Sequence, residues 1–477
     1  MGRTTRHQSI PERAAGGRQR RQATPLAVHR DWVPSPGRPD PVALIEEQNL
    51  TREPDLVPVR HARMLASPLT FYRGAAKIMA ADLKDTARAG LDVQLCGDAH
   101  LSNFGVFASP ERTLVFDLND FDETLPGPFE YDVLRMAASF TIAARHNMFS
   151  REDARGVSLA AIRSYREAMR SFAQMGTLDI WYARQSDQDL LAAIQLVAES
   201  SKGKAEKRAA KLAGEKVAKA VRKARSRDSL QALSKLAERV DGTYRIVSQP
   251  PIIIPVRELE AVFGTSAEEM ANDMRDQLHS YRQNLQHDRR QLLERFEMLD
   301  VARKVVGVGS VGTRAFIVLL QGRDSADPLF LQVKEATRSV LEDHLPRSAY
   351  RHPGARVVQG QRRMQAASDI FLGWTKGVQE NRYLYWRQLR DMKGSAVIEG
   401  MRPMGMGFYA RACGWTLARA HARSGDPIAI AAYLGKGDVF DESVADFCDR
   451  YADQNERDYE AFSAAVRSGR VPAAAGS

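Results

Sequence analysis

At 477 residues, with 44% hydrophobic and 27% charged side chains, the chain exceeds the size at which one hydrophobic core stops growing and reads as a two-lobed globular protein. No apolar run reaches the roughly eighteen residues a membrane span needs, the N-terminus lacks a signal-peptide apolar stretch, and Cys96, Cys413 and Cys448 fit neither a disulfide framework nor a zinc site; a cytoplasmic protein with reduced thiols and no membrane partner is expected. The formal net charge of +10 is concentrated in two places, residues 1–38 with eight Arg against Glu12 and Asp31, and residues 202–227 with eleven Lys/Arg against Glu206 and Glu215, so the remainder is mildly acidic and nucleic-acid binding is at most a secondary role.

Residues 1–50 form a basic tail rich in Arg, Gly and Pro with few large apolar side chains, a composition that cannot offset the entropy of ordering the backbone, and disorder is expected. From about 56 to 90 the text turns periodic and predicts helices around a short FYRG turn. Val93-Gln94-Leu95 and Thr113-Leu114-Val115-Phe116 are strand-like, and helices follow from Tyr131 to about Met175. In the basic run, Ala213, Val217, Ala220, Val221 and Ala224 recur at helical spacing, so 200–230 reads as a helical insertion with a solvated basic face. QPPIIIPV at 249–256 is an extended piece, and 266–296 is another amphipathic helical stretch. Near 303 the period changes. Lys304-Val305-Val306, Phe316 to Leu320 and Leu329 to Val333 predict an antiparallel meander, joined by a strand at Tyr383 to Leu389. Helices return from about 407 to 468. The regions are thus 1–50, a helical part 51–298, a strand-rich part 299–394, and helices 395–477 that rejoin the first helical part.

The densest chemical signal lies in residues 96–139. Asp98 is followed five positions later by Asn103, and a short strand then delivers Asp117, Asp120 and Asp122 within six residues. Hard oxygen ligands at strand ends suit magnesium. Phosphoryl transfer needs a carboxylate to orient or deprotonate the attacking hydroxyl, and an amide with a carboxylate to hold metal against the phosphates. Gly97-Asp98-x-x-x-x-Asn103 resembles the catalytic loop of aminoglycoside phosphotransferases and related protein-kinase-like enzymes, with Cys96 where that family usually has His. Asp120-Phe121-Asp122 resembles their metal-binding segment, and Glu130-Tyr131-Asp132 the Tyr-Asp pair that opens their next helix. The resemblance implies Asp98 and Asn103 as catalytic residues, with Asn103, Asp120 and Asp122 as magnesium ligands. Asp120 stands twelve residues before Asp132, which fits the family better than the fifteen from Asp117; Asp117 is the reserve candidate.

Gly307-x-Gly309-x-x-Gly312 has the superficial spacing of a dinucleotide fingerprint, but that motif requires a helix after the glycines. Here FIVLL, a turn and LFLQVKEA follow, which is strand, hairpin, strand, as in a kinase glycine-rich loop, with Lys334 in the position of the lysine that engages the nucleotide phosphates. The alternative for Lys334 is a snorkelling edge lysine. Glu342, eight residues on, is the candidate partner of Lys334, since Glu335 points to the opposite side of the strand. Arg73 and His100 are candidates to touch phosphate or substrate or to hold the loop; Arg387, Arg390 and His421 read as structural.

The catalytic loop precedes the glycine loop, the reverse of the kinase order, and joining residue 470 to residue 56 restores that order. The fold class expected is α+β, a circularly permuted, two-lobed protein-kinase-like fold with a small antiparallel-sheet lobe and a larger helical lobe. Over roughly residues 50–470 the arrangement resembles the bacterial domain-of-unknown-function family numbered 2252. The expected function is transfer of the γ-phosphoryl group of ATP, with magnesium, to a hydroxyl of a small-molecule or protein acceptor. Two alternatives stand beside it: a nucleotide-binding AMP-transferase or inactive pseudokinase, and a protein that binds nucleic acid or an acidic partner through its basic segments.

Overall fold

The computed structural model describes residues 8–200, 203–378, 381–389 and 392–474. Residues 1–7 of the basic tail, Lys202 and Arg390 lie outside the described residues. The chain is a mixed α+β protein whose sheets are all antiparallel.

Residues 8–50, expected to be disordered, are ordered. Helix α1 (Ile10–Ala23) opens with a Ser9/Glu12 capping box and α2 (Pro41–Asn49) with an Asp40 N-cap, so local capping chemistry starts both. Helices α3 (Val57–Leu65), α4 (Pro68–Gly74) and α5 (Ala76–Leu83) follow, and FYRG is the second half of α4 rather than a turn. Strands β1 (Asp92–Leu95), β2 (Phe104–Ala108), β3 (Leu114–Leu118) and β4 (Leu125–Pro128) carry the acid-rich segment, with β1 paired to β4 and β2 to β3.

Helices α6 (Phe129–His146), α7 (Arg151–Phe172), α8 (Thr177–Tyr182), α9 (Asp187–Ser200) and α10 (Lys204–Arg225) come next. The basic run is α10, as expected. Val221 and Ala224 are buried against Leu114, while Lys207, Arg208, Lys211, Lys219, Arg222 and Lys223 are exposed.

Helix α11 (Ser229–Leu236), β5 (Ala237–Val240), β6 (Thr243–Ile246), β7 (Ile253–Pro255), α12 (Glu260–Phe263), α13 (Ala267–Gln283) and α14 (His287–Leu293) lead into the meander β8 (Glu297–Lys304), β9 (Ala315–Gln321) and β10 (Pro328–Glu335). After α15 (Pro353–Met364) come β11 (Gly373–Lys376), β12 (Tyr383–Gln388) and the short β13 (Gly394–Ser395). The large sheet has the order β11-β12-β10-β9-β8-β7.

Both faces of that sheet are covered, which is why its strands read as continuous apolar runs. Along β9, Ile317 and Leu319 pack toward Leu233 and Leu236 of α11, whereas Val318 and Leu320 pack toward Leu278 and Tyr281 of α13 and Leu293 of α14. Trp386 of β12 stacks on Tyr281 with ring centroids 4.7 Å apart. The strand-rich unit therefore draws in β7, α11, α13 and α14, all before residue 299, so the expected boundary there falls inside a packed unit.

The helical body closes with α16 (Pro403–Ser424), α17 (Pro427–Leu434) and α18 (Val439–Arg467) around α6, which is buried on almost every side. Helices α7 and α16 cross at Gly414, where a Cβ would lie 2.2 Å from the Ala161 carbonyl, so only glycine permits this approach. Among the described residues, no helix is long and apolar enough to cross a membrane.

Candidate functional site

The loop between β1 and β2 is built by hydrogen bonds to α6. Asp132, in the first turn of α6, accepts the backbone N–H of Cys96 (2.6 Å) and of Gly97 (2.9 Å), and Gly97 adopts a φ of 85° that favours glycine. His421, read as structural, is fully buried with Nε2 3.2 Å from Asp132 and Nδ1 2.8 Å from the Tyr165 hydroxyl, which fixes the Asp132 carboxylate. One helical turn beyond Asp132, Arg135 faces the same loop. Its Nε lies 2.8 Å and its Nη2 2.7 Å from Asp98 Oδ1. Burial opposes the Arg135 charge, but Asp98 more than restores it and its pKa is raised.

Asn103 ties this loop to the acid segment. Its Nδ2 donates to the carbonyls of Asp98 (3.0 Å) and Asp120 (2.9 Å), and its Oδ1 accepts the Asp120 N–H at 2.7 Å. Cys96, where the loop it resembles has His, sits within this knot with Sγ 3.2 Å from the Asp120 carbonyl. Burial raises its pKa well above the ordinary range, so the thiol stays protonated and serves packing rather than nucleophilic chemistry.

The strand-rich unit brings Lys334 onto the same acids. Lys334 on β10 stands directly across from Tyr385 on β12 and Ala315 on β9. Side chains opposite one another share a face of the sheet, and both reach Asp122: Lys334 Nζ lies 2.5 Å from Oδ2, and the Tyr385 hydroxyl donates to Oδ1 at 2.7 Å. Lys334 Nζ is also 3.6 Å from Asp120 Oδ2. Burial disfavours the Lys334 charge, but Asp120 and Asp122 raise its pKa. Burial likewise works against the Asp120 charge, and Lys334 and Arg387 overcome it, holding Asp120 below the usual carboxylate range. Arg387, read as structural, donates to the Asn119 carbonyl at 2.9 Å, bracing the acid segment against β12.

The glycine segment joins β8 to β9, which are paired neighbours, as the strand, loop, strand reading expects. Gly307 and Gly312 have φ of 65° and 89°, and Gly309 lies so close to the Arg73 carbonyl that a Cβ would be 3.1 Å from it. Ser310, within the segment, donates to Asp122 Oδ2 at 3.3 Å and accepts from Lys334 Nζ at 3.2 Å. The segment's carbonyls are held by the N-terminal elements: Gly307 by Arg63 (2.6 Å), Gly312 by the Glu53 N–H (2.7 Å) and Val311 by Arg52.

Two expected site residues fall elsewhere. Asp117 is fully buried, bonded to Arg419 and accepting the Ala366 N–H at 2.8 Å, so it anchors β3 to α16 and to the segment after α15 rather than facing the other acids as a metal ligand. Glu342 caps the turn at Ser339 and lies 3.4 Å from Arg338. Among the described residues Asp120 and Asp122, not Glu342, pair with Lys334; Glu342 is engaged by the Ser339 N–H and by Arg338. Glu335 pairs with Arg382 at 2.6 Å, away from Lys334, as strand alternation dictates.

Sequence reasoning missed Tyr385, Ser310 and Arg135. The last had a signal, since Asp132 and Arg135 share a helix face. Tyr385 depends on cross-strand register, which periodicity does not specify.

Two cavities border the site. One of about 530 Å³ is lined by Arg52, Glu53, Arg314 and Arg382, and one of about 160 Å³ by Asn119, Arg387, Asp369 and Lys393. Neither is lined by Lys334, Asp120 or Asp122, which close directly on one another. Of these three, Asp120 is the most open, with its side chain 41% exposed against 25% for Asp122 and 1% for Lys334.

The chain belongs to the family described as "Uncharacterized protein conserved in bacteria (DUF2252)", whose model matches residues 52–465 and thus spans the Asp98 loop, the sheet and the helical body. No curated protein and no solved structure matches the chain.

Proposed function

We propose that the protein is an ATP- and magnesium-dependent phosphotransferase with a circularly permuted, two-lobed protein-kinase-like fold, acting on a hydroxyl of a small-molecule or protein acceptor. The observation that carries this reading is the convergence on Asp122 and Asp120 of Lys334, from the third strand of the meander β8, β9, β10, and of Ser310 within the glycine segment. A lysine on the third strand, a glycine loop before the second and an Asp-x-x-x-x-Asn loop are the recurring parts of kinase sites. The permutation is supported by the chain's end: the Ala474 N–H donates to the Pro58 carbonyl at 3.0 Å and the Pro472 carbonyl lies 2.6 Å from His61 Nδ1, so a short link there would restore the usual order.

The residues suit magnesium with a nucleotide. Among the described residues no group of three or more His, Cys, Asp or Glu forms a cage for a metal. Magnesium in phosphoryl-transfer sites is held by one or two carboxylates plus substrate phosphates, and Asp120 and Asp122 are two acids beside a phosphate-binding lysine. When bound, the ion would neutralise charge on the phosphates. Asn103 positions both acids' segment and the Asp98 loop through its amide. Lys334 would exchange Asp122 for phosphate oxygens, and Asp98, oriented by Arg135, would take the proton of the attacking hydroxyl.

The test is ATP turnover by the purified chain and its Asp98→Ala and Lys334→Ala variants. Each substitution should lower turnover by at least about 100-fold with the fold retained. Unchanged turnover in both would refute the assignment. Product mass separates addition of phosphate from addition of adenylate.

A further inference from the structure

The surroundings of Asp98 contain donors that the reaction as described leaves unused. Arg135 links Asp98 to the Tyr72 carbonyl, to which its Nη2 donates at 2.9 Å, so Arg73, the next residue of α4, is set beside the catalytic loop. The Arg73 carbonyl lies under Gly309, which puts the residue below the glycine segment as well. Among the described residues the Arg73 side chain makes no hydrogen bond, and its Nε is buried without a partner. Asp98 and Glu399 are its acidic neighbours, and Glu399 is exposed. His100 is 9% exposed, with Nε2 3.8 Å from Asp98 Oδ2 and Nδ1 buried without a partner. Burial pushes the His100 pKa down to about 4, which leaves a neutral imidazole that can donate one N–H.

Charge matching separates the two ends of the site. Lys334 is matched by Asp120 and Asp122, and Asp98 receives two N–H groups of Arg135. Arg73 is left as a surplus cation at the Asp98 end, where the attacking hydroxyl would lie. Arg73 and His100 both stand within electrostatic range of Asp98 and of this loop, and a ligand there would supply acceptors to Arg73 Nε and His100 Nδ1. A guanidinium fork beside an imidazole N–H suits a carboxylate or phosphate group.

We infer that the acceptor carries an anionic group, phosphate or carboxylate, which Arg73 and His100 hold while its hydroxyl rests at Asp98. The inference rests on the phosphotransferase reading. In the step itself the acceptor oxygen bonds to the γ-phosphorus as the bond from that phosphorus to the ADP oxygen breaks. The hydroxyl proton passes to Asp98, and the anionic group is unchanged.

The probe is inorganic phosphate, titrated by calorimetry into the full chain saturated with magnesium and a non-hydrolysable ATP analogue carrying a β,γ-imido bridge. Phosphate should bind the loaded wild-type chain. Arg73→Gln should weaken that binding by about tenfold, consistent with loss of a charge-assisted bidentate contact. Arg73→Lys, which keeps the charge, should weaken it less, and His100→Ala provides a second variant expected to weaken it. All three should keep their affinity for the analogue, and their unfolding midpoints check that they fold. No phosphate binding to the loaded wild type, or equal binding by wild type and the variants, overturns the inference. So does a loss of analogue affinity in Arg73→Gln with ADP affinity retained, since Arg73 would then serve the γ-phosphate. If the analogue fails to bind the wild type, or binds Lys334→Ala equally well, the phosphotransferase reading fails first.

Discussion

Lys334 illustrates how a buried charge is tolerated. Its side chain is 1% exposed, and removing an ammonium from water costs several kcal/mol unless opposite charges stand close by. Asp120 and Asp122 do so, and under the proposed function the same acids would hold the metal, joining stability to chemistry. Glu130 is the opposite case. Its Oε1 accepts the Ala89 N–H at 2.7 Å, its Oε2 is buried without a partner, and burial pushes its pKa up from 4.5 to about 7. An acid whose folded pKa lies above its unfolded one carries no penalty below the unfolded value, and loses stability as pH rises toward the folded value. Glu130→Gln keeps the acceptor and removes the charge, and should therefore stabilise the protein by up to about 3 kcal/mol at pH 8, with little effect at pH 4. Urea unfolding at the two pH values reads this directly, and an equal effect at both would show that burial of the charge is not the cause.

Helix α1 shows why an ordered element can look disordered in a sequence. Among its residues Gly17 alone is buried, and the helix has no apolar stripe. It docks instead through polar anchors: Arg13 pairs with Asp426 at 2.7 Å, Arg20 donates to the Ala89 carbonyl at 2.9 Å, and Arg21 donates to the carbonyls of Ala432 and Tyr433. Gly17 lies so close to α17 that a Cβ would be 2.2 Å from the Ala429 carbonyl. Gly17→Leu should detach α1 and cost about 1–3 kcal/mol, the usual range for overpacking. Trypsin would report it, because Arg18, Arg20 and Arg21 are cleavable only when the helix leaves the surface; an unchanged digestion pattern would show that α1 does not depend on this contact. Further along, Arg38 bridges Asp82 and Asp458, each at 2.6 Å. Arg38→Ala strands two buried carboxylates and should cost about 3–5 kcal/mol in chemical denaturation.

At the scale of the molecule, the largest apolar core is shared between the helical body and the strand-rich unit. Tyr385 of β12, Leu372 just before β11 and Val357 and Val358 of α15 belong to the same buried cluster as Leu95, Phe129 and Leu417. A shared core makes the two parts unfold together, so calorimetry should give one transition with matching calorimetric and van't Hoff enthalpies. Two separated transitions would show that the shared core does not couple the parts. Ligand linkage adds a test of function at this scale: magnesium and ATP at a hundredfold excess over Kd should stabilise the native chain by about 2.7 kcal/mol, and should leave Lys334→Ala much less affected.

Much of the site could be read in the text because its parts are local. The Asp98 loop, the Asp120 segment and the glycine segment with Lys334 are short motifs whose spacing is set by a single loop or hairpin, and the meander β8, β9, β10 follows from apolar runs broken by turn residues. Spacing along a chain says nothing about which side chains from distant segments share a space. Only the tertiary structure decided that Lys334 pairs with Asp122 rather than Glu342, that Asp117 is spent on Arg419, and that residues 10–49 are held by arginines reaching carbonyls and carboxylates across the fold. These depend on directional contacts over hundreds of residues, which leave no period in the sequence.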